Sequence, residues 1–137
     1  MREKLIRTDD EWRSLLTTEQ FRVLRRAGTE PAHSGALTDT AEPGMYVCAG
    51  CGSTLFSSET KFHSGCGWPS FWAPVESDAV TEQADDQFGM HRVEVRCAVC
   101  DGHLGHVFTD GPEPTGLRYC INSVSIEFLP AEANVGR

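Results

Sequence analysis

Polar and apolar residues fall into three successive patterns along the chain. Between residues 8 and 28 the pattern is helical. Thr8-Asp9-Asp10-Glu11 has the form of a capping box, and Thr17-Thr18-Glu19-Gln20 repeats it. The acidic residues sit where a helix N-terminus favours them. Phe21 and Leu24 then share a face, and Gly28 offers a C-terminal stop. This predicts a short helical brace. Residues 29–44 carry Pro31, Gly35, Pro43 and Gly44 with no apolar period and read as an ordered loop or linker. From Met45 on, β-prone runs alternate with Gly, Pro and Ser, at 46–48, 54–56, 71–72, 92–96, 106–108, 118–122 and 123–128. Arg92-Val93-Glu94-Val95-Arg96 alternates strictly, as a half-buried strand does, and Val124, Ile126 and Phe128 do the same. Residues 131–137 look frayed. The expected architecture is one mainly β domain over 1–137. It consists of a helical brace at about 8–28 and a small antiparallel β unit at about 45–128.

Composition narrows the class. The chain has 137 residues, 39% hydrophobic and 23% charged, which is the mix of a folded domain of ordinary size. No run of about 18 apolar residues appears, so no membrane span is expected. Met-Arg-Glu-Lys-Leu-Ile-Arg lacks the apolar core of a secretory signal, which favours the cytoplasm. The net charge of -8 argues against nucleic acid as a partner, since that affinity rests on clustered Lys and Arg.

Six cysteines change the picture more than any average does. Cys48-Ala-Gly-Cys51 and Cys97-Ala-Val-Cys100 are two C-x2-C turns, which together supply four thiolates for a tetrahedral structural zinc. Such a site has no open position for catalysis, and a small β domain gains from the staple. Two disulfides or unlinked buried thiols are the competing readings. A further partition would use Cys97, Cys100, His103 and His106, leaving Cys48 and Cys51 without a role.

Cys66 and Cys120 are left over. If 118–122 is a strand, Arg118, Cys120 and Asn122 share one face, and the guanidinium favours the reactive thiolate. An ordinary buried strand cysteine is an equal reading. His103-Leu-Gly-His106 sets two imidazoles three apart, with Gly105 allowing close approach, in the residue type best suited to proton donation near neutral pH. Either could instead be a structural histidine. Cys66 lies in Ser64-Gly65-Cys66-Gly67-Trp68-Pro69-Ser70-Phe71-Trp72, where flanking glycines imply a mobile loop and three aromatic rings imply a pocket or a small core.

These motifs, with Asp110-Gly-Pro112, Arg118-Tyr-Cys-Ile-Asn-Ser123 and both C-x2-C pairs, resemble the B-type methionine-R-sulfoxide reductases from about Trp12 to about Phe128. The resemblance implies a zinc-carrying, β-barrel-like fold of the Mss4-like type. It implies reduction of methionine sulfoxide, in peptides by the family's habit, with thioredoxin as reductant. It further implies that Cys120 is the nucleophile, Cys66 the resolving thiol, and His103 and His106 the polar side of the pocket. It favours His106 over His103 as proton donor or oxygen binder, gives Trp68 the substrate methyl, and has Arg118 and Asn122 support Cys120. Two departures stand out: His63 where Asp or Asn is usual, and Ala32-His33 where Pro-Phe is usual. A non-catalytic zinc module binding a protein through the Trp68–Trp72 patch is the alternative class. That module would have no need of Cys66, Cys120 and two histidines.

Overall fold

The structure, a computed structural model, describes residues 3–85 and 92–131; most of the C-terminal stretch read as frayed lies outside the described residues. It is mainly β, antiparallel, with two short helices. Both capping boxes form. Thr8 caps α1 (Asp9–Leu15) and Thr17 caps α2 (Thr18–Arg26), each by accepting from the backbone N–H three residues on. The brace is therefore two helices broken at Leu16-Thr17, because the second cap satisfies N–H groups that a continuous helix would use internally. The stop also comes earlier than Gly28 suggests: Ala27 takes the left-handed conformation (φ 55°).

Among the described residues nine strands follow: β1 (Gly44–Cys48), β2 (Thr54–Ser57), β3 (Lys61–Phe62), β4 (Ser70–Phe71), β5 (Val80–Asp85), β6 (Arg92–Cys97), β7 (His103–Phe108), β8 (Arg118–Ile121) and β9 (Ile126–Pro130). They form a three-stranded sheet, β2-β1-β9, and a six-stranded sheet, β3-β4-β8-β7-β6-β5. β5 is absent from the sequence reading because its middle residues, Glu82, Gln83 and Ala84, are exposed. An edge strand with so little burial carries no alternation to detect. Residues 123–125 form a 3-10 turn instead of extending β9, and this turn carries the chain from the large sheet to the small one.

An aromatic cluster joins the sheets. Phe56 and Phe71 stack at 4.4 Å, Tyr46 meets Phe71 edge-on at 5.1 Å, and Tyr119 closes on Phe56 at 5.8 Å. Removing one such ring from a close-packed core costs about 3–5 kcal/mol. α2 packs on β7 and on the 3-10 turn, and Trp12, Leu16, Phe21 and Leu24 bury the apolar faces of the brace. No helix among the described residues is long and apolar enough to cross a membrane.

Candidate functional site

The register of the large sheet lines up one row across four strands: Glu94 on β6, His106 on β7, Cys120 on β8 and Ser70 on β4. Directly opposed residues share a face. This face therefore carries Glu94, Arg96, His106, Phe108, Arg118 and Cys120, while Val95, Val107, Tyr119 and Ile121 turn to the core. A bulge adds to it. Val95 pairs with Gly105 and Arg96 with His103, so Leu104 is an extra residue in β7. The extra residue brings His103 back to the face of His106, where strict alternation would have separated them. Their rings lie 5.5 Å apart, edge to face. Gly105 is needed for a different approach from the one expected: a side chain there would meet the Cys120 carbonyl oxygen across the β7–β8 pair.

A cavity of about 250 Å³ opens on this face. Cys66, Trp68, His106, Arg118, Cys120 and Asn122 line it, together with Thr29, Arg92, Gly105 and Phe108. That is below the usual range for drug-sized ligands and suits the end of one side chain. His103 does not line the cavity. It sits beside His106, 4% exposed, with Nδ1 2.7 Å from Glu94 Oε2 and Nε2 buried without a partner among the described residues. Burial pushes His103 below the ordinary imidazole range, even though the Glu94 carboxylate pulls the other way. His106 Nε2 meets Asp85 Oδ2 at 2.8 Å.

The two leftover thiols come together. Cys66 Sγ lies 3.4 Å from Cys120 Sγ, 3.0 Å from Ser64 Oγ and 3.4 Å from Ser70 Oγ. Burial alone would push the Cys66 thiol up, but hydrogen bonds from Ser64 and Ser70, with the Trp68 carbonyl and Cys120 also engaged, bring it to about 7. Cys120 goes the other way, raised by burial and then by the adjacent Cys66. Arg118 does favour the Cys120 thiolate, as its neighbourhood in sequence suggests, but burial outweighs it. The guanidinium is itself clamped on Asp110 by two hydrogen bonds of 2.9 and 3.3 Å and lies 4.4 Å over the Phe108 ring.

Asn122 departs from the expected strand. β8 ends at Ile121, and Asn122 starts the 3-10 turn. Its side chain donates to Leu104 C=O at 3.0 Å and accepts from Glu30 N–H at 2.9 Å. Glu30, which the sequence reading left in a featureless loop, is 2% exposed and a hub of the site. Its C=O accepts from Trp68 Nε1 at 2.9 Å and its Oε1 from Val124 N–H at 2.9 Å. Ser70, Asp85 and Glu94 were also missed. Ser70 stood inside the 64–72 motif, whereas Glu30, Asp85 and Glu94 gave no local signal, because each finds its partner in another segment of the chain. Of the two departures, His63 meets Asp39 at 3.4 Å on the exposed surface, and neither His63 nor Ala32-His33 lines the cavity. His33 N–H donates to Gly67 C=O at 2.7 Å, and Gly67, at φ 94°, leaves no room for a side chain against Ala32.

Away from the cavity, Cys48, Cys51, Cys97 and Cys100 gather their sulfurs within 4.8 Å of one another. The two turns match: Gly52 N–H donates to Cys48 C=O and Asp101 N–H to Cys97 C=O, each at 2.9 Å, with Gly52 and Asp101 left-handed. Cys51 and Cys97 sulfurs are 3.5 Å apart and those of Cys48 and Cys100 3.6 Å. A tetrahedral ion at about 2.3 Å from each thiolate needs sulfurs about 3.8 Å apart, so the set fits a metal ion. Among the described residues no group joins His103 or His106 to these cysteines. The cluster ties β1 of the small sheet to β6 of the large one.

Two neighbouring thiols at a cavity lined by an imidazole are groups suited to thiol-based redox exchange. The chain matches the family model of the SelR domain over residues 16–130. It is 53% identical over 132 residues to the peptide methionine sulfoxide reductase MsrB of Hahella chejuensis, covering 96% of this chain and 95% of that one. It is 55% identical over 128 residues to the protein of the same name from Leptospira interrogans, covering 93% and 98% of the two. With that of Pseudomonas aeruginosa it shares 56% over 124 residues, covering 90% and 94%. The chain belongs to the SelR family of B-type methionine sulfoxide reductases. It is an oxidoreductase, and its reaction is the reduction of methionine sulfoxide.

Proposed function

We propose that this protein reduces the R epimer of methionine sulfoxide, in oxidised peptides and proteins, with Cys120 as nucleophile. The observation that carries the reading is the pair of sulfurs 3.4 Å apart at a cavity lined by both Trp68 and His106. Trp68 is held by its indole N–H on Glu30, so its ring is a fixed surface for the S-methyl group. The sulfoxide oxygen then faces His106. Exchanging methyl and lone pair would direct oxygen away from the proton donor, which is the physical basis for acting on one epimer. His106 lines the cavity and His103 does not, so His106 is the donor of the two.

Attack by the Cys120 thiolate transfers the oxygen to Sγ as His106 supplies a proton. Methionine leaves, reduced by two electrons, and Cys120 becomes a sulfenic acid. Arg118 favours the thiolate and Asn122 fixes the backbone beside it. Cys66 then condenses with the sulfenic acid, releasing water. Closing the sulfurs from 3.4 Å to a bond of about 2.05 Å asks for little movement. Ser64 and Gly65, beside Cys66, are exposed, so thioredoxin can attack the disulfide from the surface. Zinc on Cys48, Cys51, Cys97 and Cys100 is structural; four thiolates leave it no open position. The cytoplasm, where thiols are kept reduced, is the compartment that suits this cycle.

The test is incubation with resolved R and S sulfoxides of an acetylated, amidated methionine. Methionine should form from the R compound only. Comparable turnover of the S compound would refute the epimer assignment, and turnover of neither would refute the peptide substrate.

A further inference from the structure

Two carboxylates face the two imidazoles, and they divide the work. Glu94 stands directly across from His106 in the β6–β7 pair, yet its carboxylate turns to His103 at 2.7 Å and to Arg96 at 2.9 Å. The partner of His106 comes instead from one strand further away. Asp85 ends β5, opposite Arg92, and its Oδ2 lies 2.8 Å from His106 Nε2 and 3.3 Å from an Arg92 nitrogen. Both members of the pair are shielded: the His106 side chain is 12% exposed and that of Asp85 16%. An imidazole has two nitrogens. With Nε2 taken by a carboxylate, Nδ1 is the one left for a substrate oxygen, and ring rotation is restrained.

We propose that Asp85 is a positioning residue for sulfoxide reduction, holding His106 through Nε2 so that Nδ1 carries the proton given to the sulfoxide oxygen. This rests on the reading of His106 as proton donor. In the step, the Cys120 thiolate takes the sulfoxide oxygen, the sulfoxide sulfur gains two electrons and Cys120 loses two. The His106 Nδ1 proton ends on the sulfenic oxygen. His106 is left neutral, with its Nε2–H still donated to Asp85. A carboxylate that orients a working histidine is a general device; its loss costs about 10–100-fold beside a metal-ligating histidine and about 10,000-fold in a Ser-His-Asp triad.

The experiment uses the full-length, metal-loaded protein in single turnover with the R sulfoxide of acetylated, amidated methionine. The variants are Asp85→Asn, Asp85→Ala, His106→Ala and the Asp85→Ala/His106→Ala double. Each Asp85 variant should slow methionine release about 10–100-fold at saturating substrate, with substrate affinity and metal content unchanged. The double variant should be no slower than His106→Ala alone. Long-range 1H–15N NMR should show a proton on His106 Nε2 in the wild type that exchanges faster in Asp85→Asn. Asn is isosteric, so a folding failure of the Ala variant leaves the test in place. Wild-type rates in Asp85→Asn, or losses that multiply in the double variant, would overturn the role of Asp85 while leaving His106 as donor. Unchanged single turnover in His106→Ala would overturn the donor reading itself, and this inference with it.

Discussion

The chain holds two sets of cysteines with nearly equal sulfur spacing and different surroundings. In the four-cysteine set two sulfur pairs are 3.5 and 3.6 Å apart, and in the cavity the sulfurs are 3.4 Å apart. The first set sits on two matching turns at strand ends, with three of its four residues buried, and it joins the two sheets. The second has one member on strand β8 and one on a loop between Gly65 and Gly67. Hydroxyl donors, an aromatic wall and an imidazole surround it. Proximity of sulfurs therefore does not decide their chemistry. Four thiolates converging from rigid turns favour an ion. Two thiols beside hydroxyls and a cavity favour redox exchange. Substitutions that separate metal content from methionine release test this contrast.

The largest effect is expected from Cys97→Ser. Losing one of four ligands should release the metal and abolish cooperative unfolding, since structural zinc contributes on the order of 10 kcal/mol in small domains. Metal analysis and thermal denaturation read this directly, and a folded, active, metal-free variant would break the comparison. Next is Cys120→Ser. It should keep the metal and the melting temperature, yet release no methionine even in a single turnover. Any stoichiometric release would remove Cys120 from the nucleophile's place.

Cys66→Ser should have a narrower effect. One methionine per enzyme should still be released, and dimedone should trap a sulfenic acid on Cys120. Thioredoxin-driven turnover should fall sharply, while dithiothreitol restores part of it. Full thioredoxin-driven turnover would mean that the reductant acts on the sulfenic acid itself. The smallest effect sharpens the electrostatic side. In the reduced protein, Cys66 should be alkylated with a midpoint near 7. Ser64→Ala removes a donor that favours its thiolate, so the midpoint should move to higher pH and alkylation at neutral pH should slow. An unchanged midpoint would show that Ser64 does not hold that charge.

Much of this was legible because the chemistry is written in short, local motifs. The two C-x2-C turns carry their own backbone geometry, so their pairing into one cluster followed from spacing. Both capping boxes formed for the same reason, as each needs only four consecutive residues. The strict alternation of 92–96 announced β6, whereas β5, mostly exposed, announced nothing. The grouping of Cys120 with Arg118 needed only strand periodicity, but the exit of Asn122 from the strand did not show.

What the sequence determined by itself is therefore the class: a mainly β chain, a four-thiolate cluster, two cysteines set apart from it, and motifs of one family. What only the tertiary structure decided lies between segments distant in the chain. Strand alternation alone would split His103 from His106, and the extra residue in β7 reunites them. Asp85 reaches His106 across β6, and Glu30 reaches Asn122 over 92 positions. Such contacts arise from register and from the burial of polar groups that must find partners wherever the fold puts them. No local pattern of residues encodes that choice, because the partner is selected by what packing brings within about 3 Å.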